Sequence, residues 1–175
     1  EQGNIDYILK LFELCKNKIN TKHQNKQGFN ALMSASYHNK LACIAVIAKT
    51  SAISVNDQSE ETKMTALMYA AMQDNSDCIT MLHATFPHIK VNQYDINKNT
   101  ALIHAVKNNQ MKAMHTIIEV FNDVLVNFRN IEGVNAFMYA AQNNNPDCMK
   151  FLSRFHDSDI TDCFSFLREL DDKDP

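Results

Sequence analysis

The sequence predicts an all-α fold, a solenoid of stacked helix-turn-helix units, from three observations. Four similar segments at residues 30–33, 65–68, 100–103 and 135–138 (NALM, TALM, TALI and NAFM) begin 35 residues apart. Small or apolar side chains recur at i, i+3 and i+4 after each start, which is the spacing of one helical face. Each segment also opens on Thr or Asn, two residue types that cap helices. A fixed period of this length is typical of repeat arrays.

The unit boundaries follow from this grid. Residues 1–20 match the second helix of a unit without its first, so we expect a partial N-terminal repeat or a capping helix there. The chain opens on Glu1, so we expect a fragment or a processed product. Four complete units are predicted at 21–58, 59–93, 94–128 and 129–160. A capped amphipathic helix and an acidic tail are predicted at 161–175, where they would cover the open end of the stack.

Within each unit, the pattern predicts two short helices. The first begins after the caps at Asn30, Thr65, Thr100 and Asn135. A polar break follows at 39–40, 74–75, 109–110 and 144–145, and the second helix starts there. In the fourth unit, Asn145, Pro146 and Asp147 place a cap, a proline and an acidic residue in the order that favours a helix start. Asn75 is expected to cap the corresponding helix of the second unit.

The cysteines are expected to be free thiols. Cys43, Cys78 and Cys148 occupy one repeat position, where the third unit has Ala113, and this position would recur about 10 Å apart in neighbouring units, which is too far for a disulfide. We therefore expect all three to be buried. Free cysteines in this number suit a reducing compartment, so we expect an intracellular protein, in the cytoplasm.

Composition excludes several classes of function. The net charge is −3 and the basic residues are scattered, which argues against nucleic acid. The longest apolar stretch, residues 41–48, is too short to cross a bilayer, and no signal segment opens the chain. Only three glycines are present, so no phosphate-binding loop can form. The His, Cys and acidic residues match no metal or catalytic spacing, so we expect no cofactor, no metal and no enzyme.

The whole pattern resembles the ankyrin repeat family. The motif segments read GFNALMSAS at 28–36, TALMYAA at 65–71, TALIHAV at 100–106 and GVNAFMYAA at 133–141, and Val-Asn or Ile-Asn pairs recur before the loops. The family's Pro is Ala in every copy, its His is Met or Ile, and its Gly is replaced by Lys63 and Lys98. Because lysine disfavours the backbone conformation that glycine adopts in such turns, we expect longer and less regular finger loops. The fold expected is therefore an ankyrin-type solenoid with protruding finger loops.

The resemblance also implies where a partner would bind. In this family the usual site is the concave face, formed by the finger loops and the ends of the first helices, and the usual ligand is another protein. We expect a monomer with no catalytic activity. By register, the binding residues expected are Phe29, Tyr37, His38, Met64, Met72, Tyr94, Ile96, Lys107, Arg129 and Val134.

Several of these side chains are apolar and, with Ile131, would form an exposed ridge of the kind that marks a partner site. The alternative is that the loops fold back and bury some of them, Ile96 and Ile131 above all. Asn20, Asn56, Asn92 and Asn127 match the asparagine that asparaginyl hydroxylases modify in ankyrin repeats. A structural role in the turns is the favoured interpretation.

Two alternative functions remain open at this level. The chain could be a regulatory or targeting segment of a larger enzyme, docked against its own catalytic domain. It could also be a pathogen effector that imitates host scaffold proteins, in which case it would act in the host cell cytoplasm. The partner itself is not identified by the sequence.

Overall fold

The computed structural model describes residues 23–26, 28–49 and 54–155, and within them the predicted all-α solenoid is confirmed. First helices alternate with second helices, and no strand forms in these ranges. The first helices are α1 Ala31–Tyr37, α3 Ala66–Met72, α5 Ala101–Lys107 and α7 Ala136–Gln142. The second helices are α2 Leu41–Ala48, α4 Ser76–Thr85, α6 Met111–Val120 and α8 Pro146–Leu152, which a 3-10 turn at Ser153–Phe155 follows. The segments predicted at 1–20 and 161–175 lie outside the described residues.

The helices stack in two rows. Each first helix packs on the first helix of the next unit, and α2, α4 and α6 pack on one another in the same order. Isolated helices of seven to ten residues are unstable in water, so packing between units stabilises them. The core is accordingly a continuous ribbon that runs through Leu32, Leu67 and Leu102, each at most 2% exposed.

The four predicted caps of the first helices are confirmed. The side chains of Asn30, Thr65, Thr100 and Asn135 accept hydrogen bonds from the backbone N–H three residues later. The polar breaks also end the first helices as predicted. Asn39, Asp74, Asn109 and Asn144 adopt positive φ angles between 50° and 59°. Asn and Asp enter this left-handed region more readily than most residues, which explains why they recur at the break.

The cap prediction for the second helices holds in one unit and is wrong in another. Asn145 caps α8, and Pro146 is its first residue. Asn75 makes no cap bond, because its side-chain amide donates instead to the carbonyls of Ser36 and Tyr37 at 2.8 and 3.0 Å. Gln110 donates to the carbonyl of Met72 in the same way. These amides satisfy the last carbonyls of the preceding unit's first helix.

The prediction of three buried thiols is wrong for Cys43, which is exposed, whereas Cys78 and Cys148 are buried. The side chain at this position faces the preceding unit, since the thiol of Cys148 contacts the sulfur of Met114 at 3.2 Å. For Cys43 the preceding unit falls at residues 1–20, outside the described residues. Burial raises the pKa of both Cys78 and Cys148 to about 11.

Candidate protein-interaction face

Four loops, here called fingers 1 to 4, precede the first helices at residues 24–29 (residue 27 is not described), 58–64, 94–99 and 129–134. Each is closed by one polar side chain: Asn25, Ser59, Asp95 or Asn130. Its oxygen accepts the backbone N–H of the residue before the helix cap, at 2.7 to 3.1 Å. This closure of the loops was not predicted from the sequence. Its signal is an oxygen-bearing side chain five or six residues before each cap.

The fingers share one turn conformation. Gly28 and Gly133 have φ of 76°, and Lys63 and Lys98 occupy the equivalent positions with φ of 59° and 58°. The expectation of irregular fingers is therefore wrong at this turn, because lysine adopts the left-handed conformation that glycine favours. Finger 2 is longer by one residue, since Ser59 closes the loop on Met64, five positions on, where the other fingers close over four.

A side chain of the following first helix holds each of fingers 2, 3 and 4. The hydroxyl of Tyr69 lies 3.3 Å from Thr62 Oγ1, and that of Tyr139 accepts from Asn130 Nδ2 at 3.0 Å. In the third unit, His104 Nε2 lies 2.9 Å from Asp95 Oδ2. These residues share one motif position, so the link between finger and helix repeats along the stack.

Asp95 is the one carboxylate in this set of links. Burial acts to raise the pKa of its carboxyl group. Three hydrogen bonds and the charge of His104 outweigh burial, so the pKa lies below its ordinary value. The hydrogen bonds come from the side chain of His104 and from the backbone N–H groups of Asn99 and Asn97. The carboxylate therefore stays ionised, and it fixes finger 3 from beneath.

Neighbouring fingers are joined by hydrogen bonds. The backbone N–H of Ile96 donates to the carbonyl of Thr62 at 3.0 Å, and that of Ile131 donates to Asn97 at 3.1 Å. Between fingers 1 and 2, the N–H of Glu60 donates to Gln24 Oε1 at 3.0 Å. The four fingers consequently form one connected surface, which we call the finger face.

A groove of about 850 Å³ opens on the finger face beside finger 3. Tyr94, Ile96 and Ile131 line it and remain 47%, 62% and 59% exposed. Tyr94 is held by stacking on Phe128, with ring centroids 5.8 Å apart. The rest of the lining includes Ile89 and Val91 together with polar and charged residues, among them Gln58, Lys63, Lys90, Lys98 and Asp123.

A family model of ankyrin repeats in three copies matches residues 1–95 and again residues 85–162. The chain belongs to the ankyrin repeat family. Ankyrin repeats are generally protein–protein interaction modules and are typically non-catalytic. No curated protein matches the chain significantly.

None of the helices in the described ranges is long and apolar enough to cross a membrane. The same part of the chain holds no group of three or more His, Cys, Asp and Glu side chains arranged to bind a metal ion.

The ankyrin structure places the predicted binding residues at three levels of exposure. His38, Tyr94, Ile96, Lys107 and Arg129 are exposed, and Phe29, Tyr37 and Met72 are half-buried. Met64 and Val134 are 7% and 3% exposed, so their predicted place on the exposed ridge is wrong. Each precedes a helix cap and is turned inward as its finger closes. The alternative that Ile96 and Ile131 are buried is also wrong.

The structure separates the remaining predicted residues into small groups. Phe29 packs on Tyr69 and Tyr37, with ring centroids 4.5 and 5.5 Å apart, so these rings support each other at finger 1. Lys107 lies over the ring of Tyr139, 5.2 Å from its centroid. The guanidinium of Arg129 donates to the carbonyl of Gly133 at 3.0 Å. The sequence did not indicate that the buried rings of Tyr69 and Tyr139 pack against residues of this face.

Asn56 and Asn92 of the Val-Asn pairs have a structural role, as the favoured interpretation expected, whereas Asn127 is exposed. Asn56 donates to the carbonyl of His88 at 2.8 Å and accepts from Lys90 N at 2.8 Å. Asn92 repeats this with the carbonyl of Asp123 at 2.6 Å and with Leu125 N at 2.9 Å. Each side chain thus bridges two consecutive units, and Asn20 lies outside the described residues.

Proposed function

We propose that this ankyrin chain is a non-catalytic module that binds another protein through the finger face. The observation that carries the proposal is the groove beside finger 3, where three large apolar side chains stay about half exposed or more. Soluble proteins seldom leave contiguous apolar groups in water without a function, and such patches usually mark partner sites. Aromatic side chains such as that of Tyr94 are also enriched in interfaces.

The mechanism is recognition by a surface that is ordered before the partner arrives. The closing side chains, the links from the first helices and the bonds between fingers hold the loops in place. Loops that are already ordered lose little conformational entropy on binding, so more of the contact energy appears as affinity. A complete interface on such a surface would bury about 800 Å² on each partner.

Affinity capture from cell lysate, followed by titration of each captured protein, tests the face. The variant Ile96→Ser/Ile131→Ser removes two exposed apolar side chains and keeps the backbone bonds of both residues. The matched control is Leu125→Ser, because Leu125 is 54% exposed and lies outside the groove lining. We expect the double variant to lose at least about tenfold in affinity for the partner, as removal of interface anchors does, and the control to bind as the parent does.

Thermal unfolding of both variants provides the folding control, since exposed side chains contribute little to stability. Equal capture by the parent and the double variant would contradict the proposed face. Capture of no partner would instead favour docking against a catalytic domain of the same polypeptide, the alternative that uses this surface within one molecule.

A further inference from the structure

The groove beside finger 3 has a positive net charge, although the chain as a whole is acidic. Lys63, Lys90 and Lys98 line it with exposed side chains, and Asp123 is the one exposed acidic residue of the lining. The other acidic residue there, Asp95, is buried and bonded to His104. The whole chain has a net charge of −3, so the groove reverses the sign of the molecule. None of the three ammonium groups forms an ion pair within the described ranges.

Two of these lysines occupy positions where glycine is the less strained residue. Lys63 and Lys98 hold the left-handed turn that Gly28 and Gly133 hold in fingers 1 and 4. The two glycines do not line the groove, whereas both lysines do. A non-glycine residue in this region is strained, and strain without a structural gain points to a functional requirement for the side chain. Here the side chain supplies a positive charge at the groove.

We propose that the groove binds an acidic peptide segment of a partner protein, one that also carries apolar side chains. This rests on the proposed function and names the chemistry of the partner. Tyr94, Ile96 and Ile131 would contact the apolar side chains, and the three lysines would pair with carboxylates. Glu60, Glu61 and Glu132 are exposed on fingers 2 and 4 but lie outside the lining, and within the described residues none of them forms an ion pair with a groove lysine.

The backbone of the fingers indicates that side chains make this contact. The N–H groups of Ile96 and Ile131 are already donated to neighbouring fingers, and those of Lys63 and Lys98 close their own turns. A partner strand therefore finds none of these four donors free to extend a sheet. The ammonium groups of Lys63, Lys90 and Lys98 can bind carboxylates as mobile point charges.

Selection of a random peptide display library on the chain tests this proposal. We expect the enriched peptides to be rich in Asp and Glu together with aromatic or branched apolar residues. The key variant is Lys63→Gly/Lys98→Gly, which removes both charges and relaxes both turns. It should unfold at a temperature a few degrees higher, while an enriched peptide binds about tenfold more weakly, as expected for two exposed ion pairs.

The matched control is Lys112→Gln/Lys150→Gln, which removes two exposed charges from the second helices, away from the groove. It should bind the peptide within about twofold of the parent. Binding by the parent should also weaken as salt rises from about 0.05 M to about 0.5 M, because salt screens exposed charges.

The outcomes separate this proposal from the proposed function. If Ile96→Ser/Ile131→Ser loses peptide binding but Lys63→Gly/Lys98→Gly does not, the proposal of an acidic partner is wrong, whereas the proposal that the finger face binds a partner stands. Unchanged binding in both variants would overturn both. Enrichment of neutral or basic peptides would also refute the proposal.

Discussion

Replacement of Lys98 by glycine should make this protein more stable, although it removes an entire side chain. Lys98 has φ of 58°, and its side chain is exposed. A side chain in the left-handed region costs about 1–2 kcal/mol through contact between Cβ and the following carbonyl. Glycine removes that strain but adds about 0.4–1 kcal/mol of backbone entropy to the unfolded chain. The net gain expected is about 0.5–1 kcal/mol.

The reciprocal change tests the same reasoning in the opposite direction. Gly133 has φ of 76°, and a Cβ added there would meet no atom within 4 Å. Gly133→Lys should therefore lower stability by about 0.5–1 kcal/mol through backbone strain alone. Asn109→Gly provides the control, since Asn109 has φ of 59° but asparagine tolerates this region, so the gain should be smaller.

Urea unfolding followed by circular dichroism measures the three variants against the parent. In a chain of 175 residues, 1 kcal/mol shifts the melting temperature by about 2–4 °C, so thermal scans resolve the predicted effect. A Lys98→Gly midpoint equal to or below that of the parent would refute the reasoning, because it would show that the left-handed turn stores no strain that glycine can release.

Three further predictions concern hydrogen bonds, pH and thiols. Asn92→Ala removes two hydrogen bonds between units and should lower the free energy of unfolding by about 1–2 kcal/mol. The control Asn127→Ala, at an exposed equivalent position, should change it by less than about 0.5 kcal/mol, and equal urea midpoints for the two variants would contradict the bridging role of Asn92. Because the pKa of Asp95 is lowered on folding, its contribution to stability is present above about pH 4 and is lost as pH falls through the folded pKa. The stability difference between the parent and Asp95→Asn should therefore shrink between pH 6 and pH 3, and a constant difference in urea titrations would refute this. In a Cys15→Ser/Cys163→Ser background, a thiol reagent at pH 8 should label Cys43 rapidly but Cys78 and Cys148 only on unfolding, because burial raises the pKa of those two thiols to about 11. Rapid labelling of all three cysteines in the folded protein would contradict this prediction.

The features that the sequence predicted well depend on interactions within a few residues. The caps at Asn30, Thr65, Thr100 and Asn135 bond to an N–H three residues away, and the left-handed breaks at positions such as Asn109 depend on the residue itself. The 35-residue period then places these local signals in register. For that reason the helix pairs, their order and the family could be recognised before any tertiary contact was known.

The features that the sequence predicted badly depend on contacts between units or on how each finger closes. Asn75 is a residue type that caps helices, but its side chain bonds to the preceding unit. Cys43 shares a repeat position with two buried thiols, but it is exposed. Met64 and Val134 are turned inward, whereas Ile96 and Ile131 face solvent, although all four are apolar residues of the fingers. The partner of Asn75 lies 39 residues away in the chain, and Met64 and Val134 face inward because their own fingers close, so residue type alone does not predict these outcomes.

The sequence by itself therefore determined a stack of helix pairs of the ankyrin type, with its caps and breaks in place. Only the tertiary structure decided which finger residues line the groove and that Lys63 and Lys98 meet there with Tyr94. The physical reason is that helix starts and turns are local properties of the backbone. A groove is a property of several loops held together, which hydrogen bonds between fingers create.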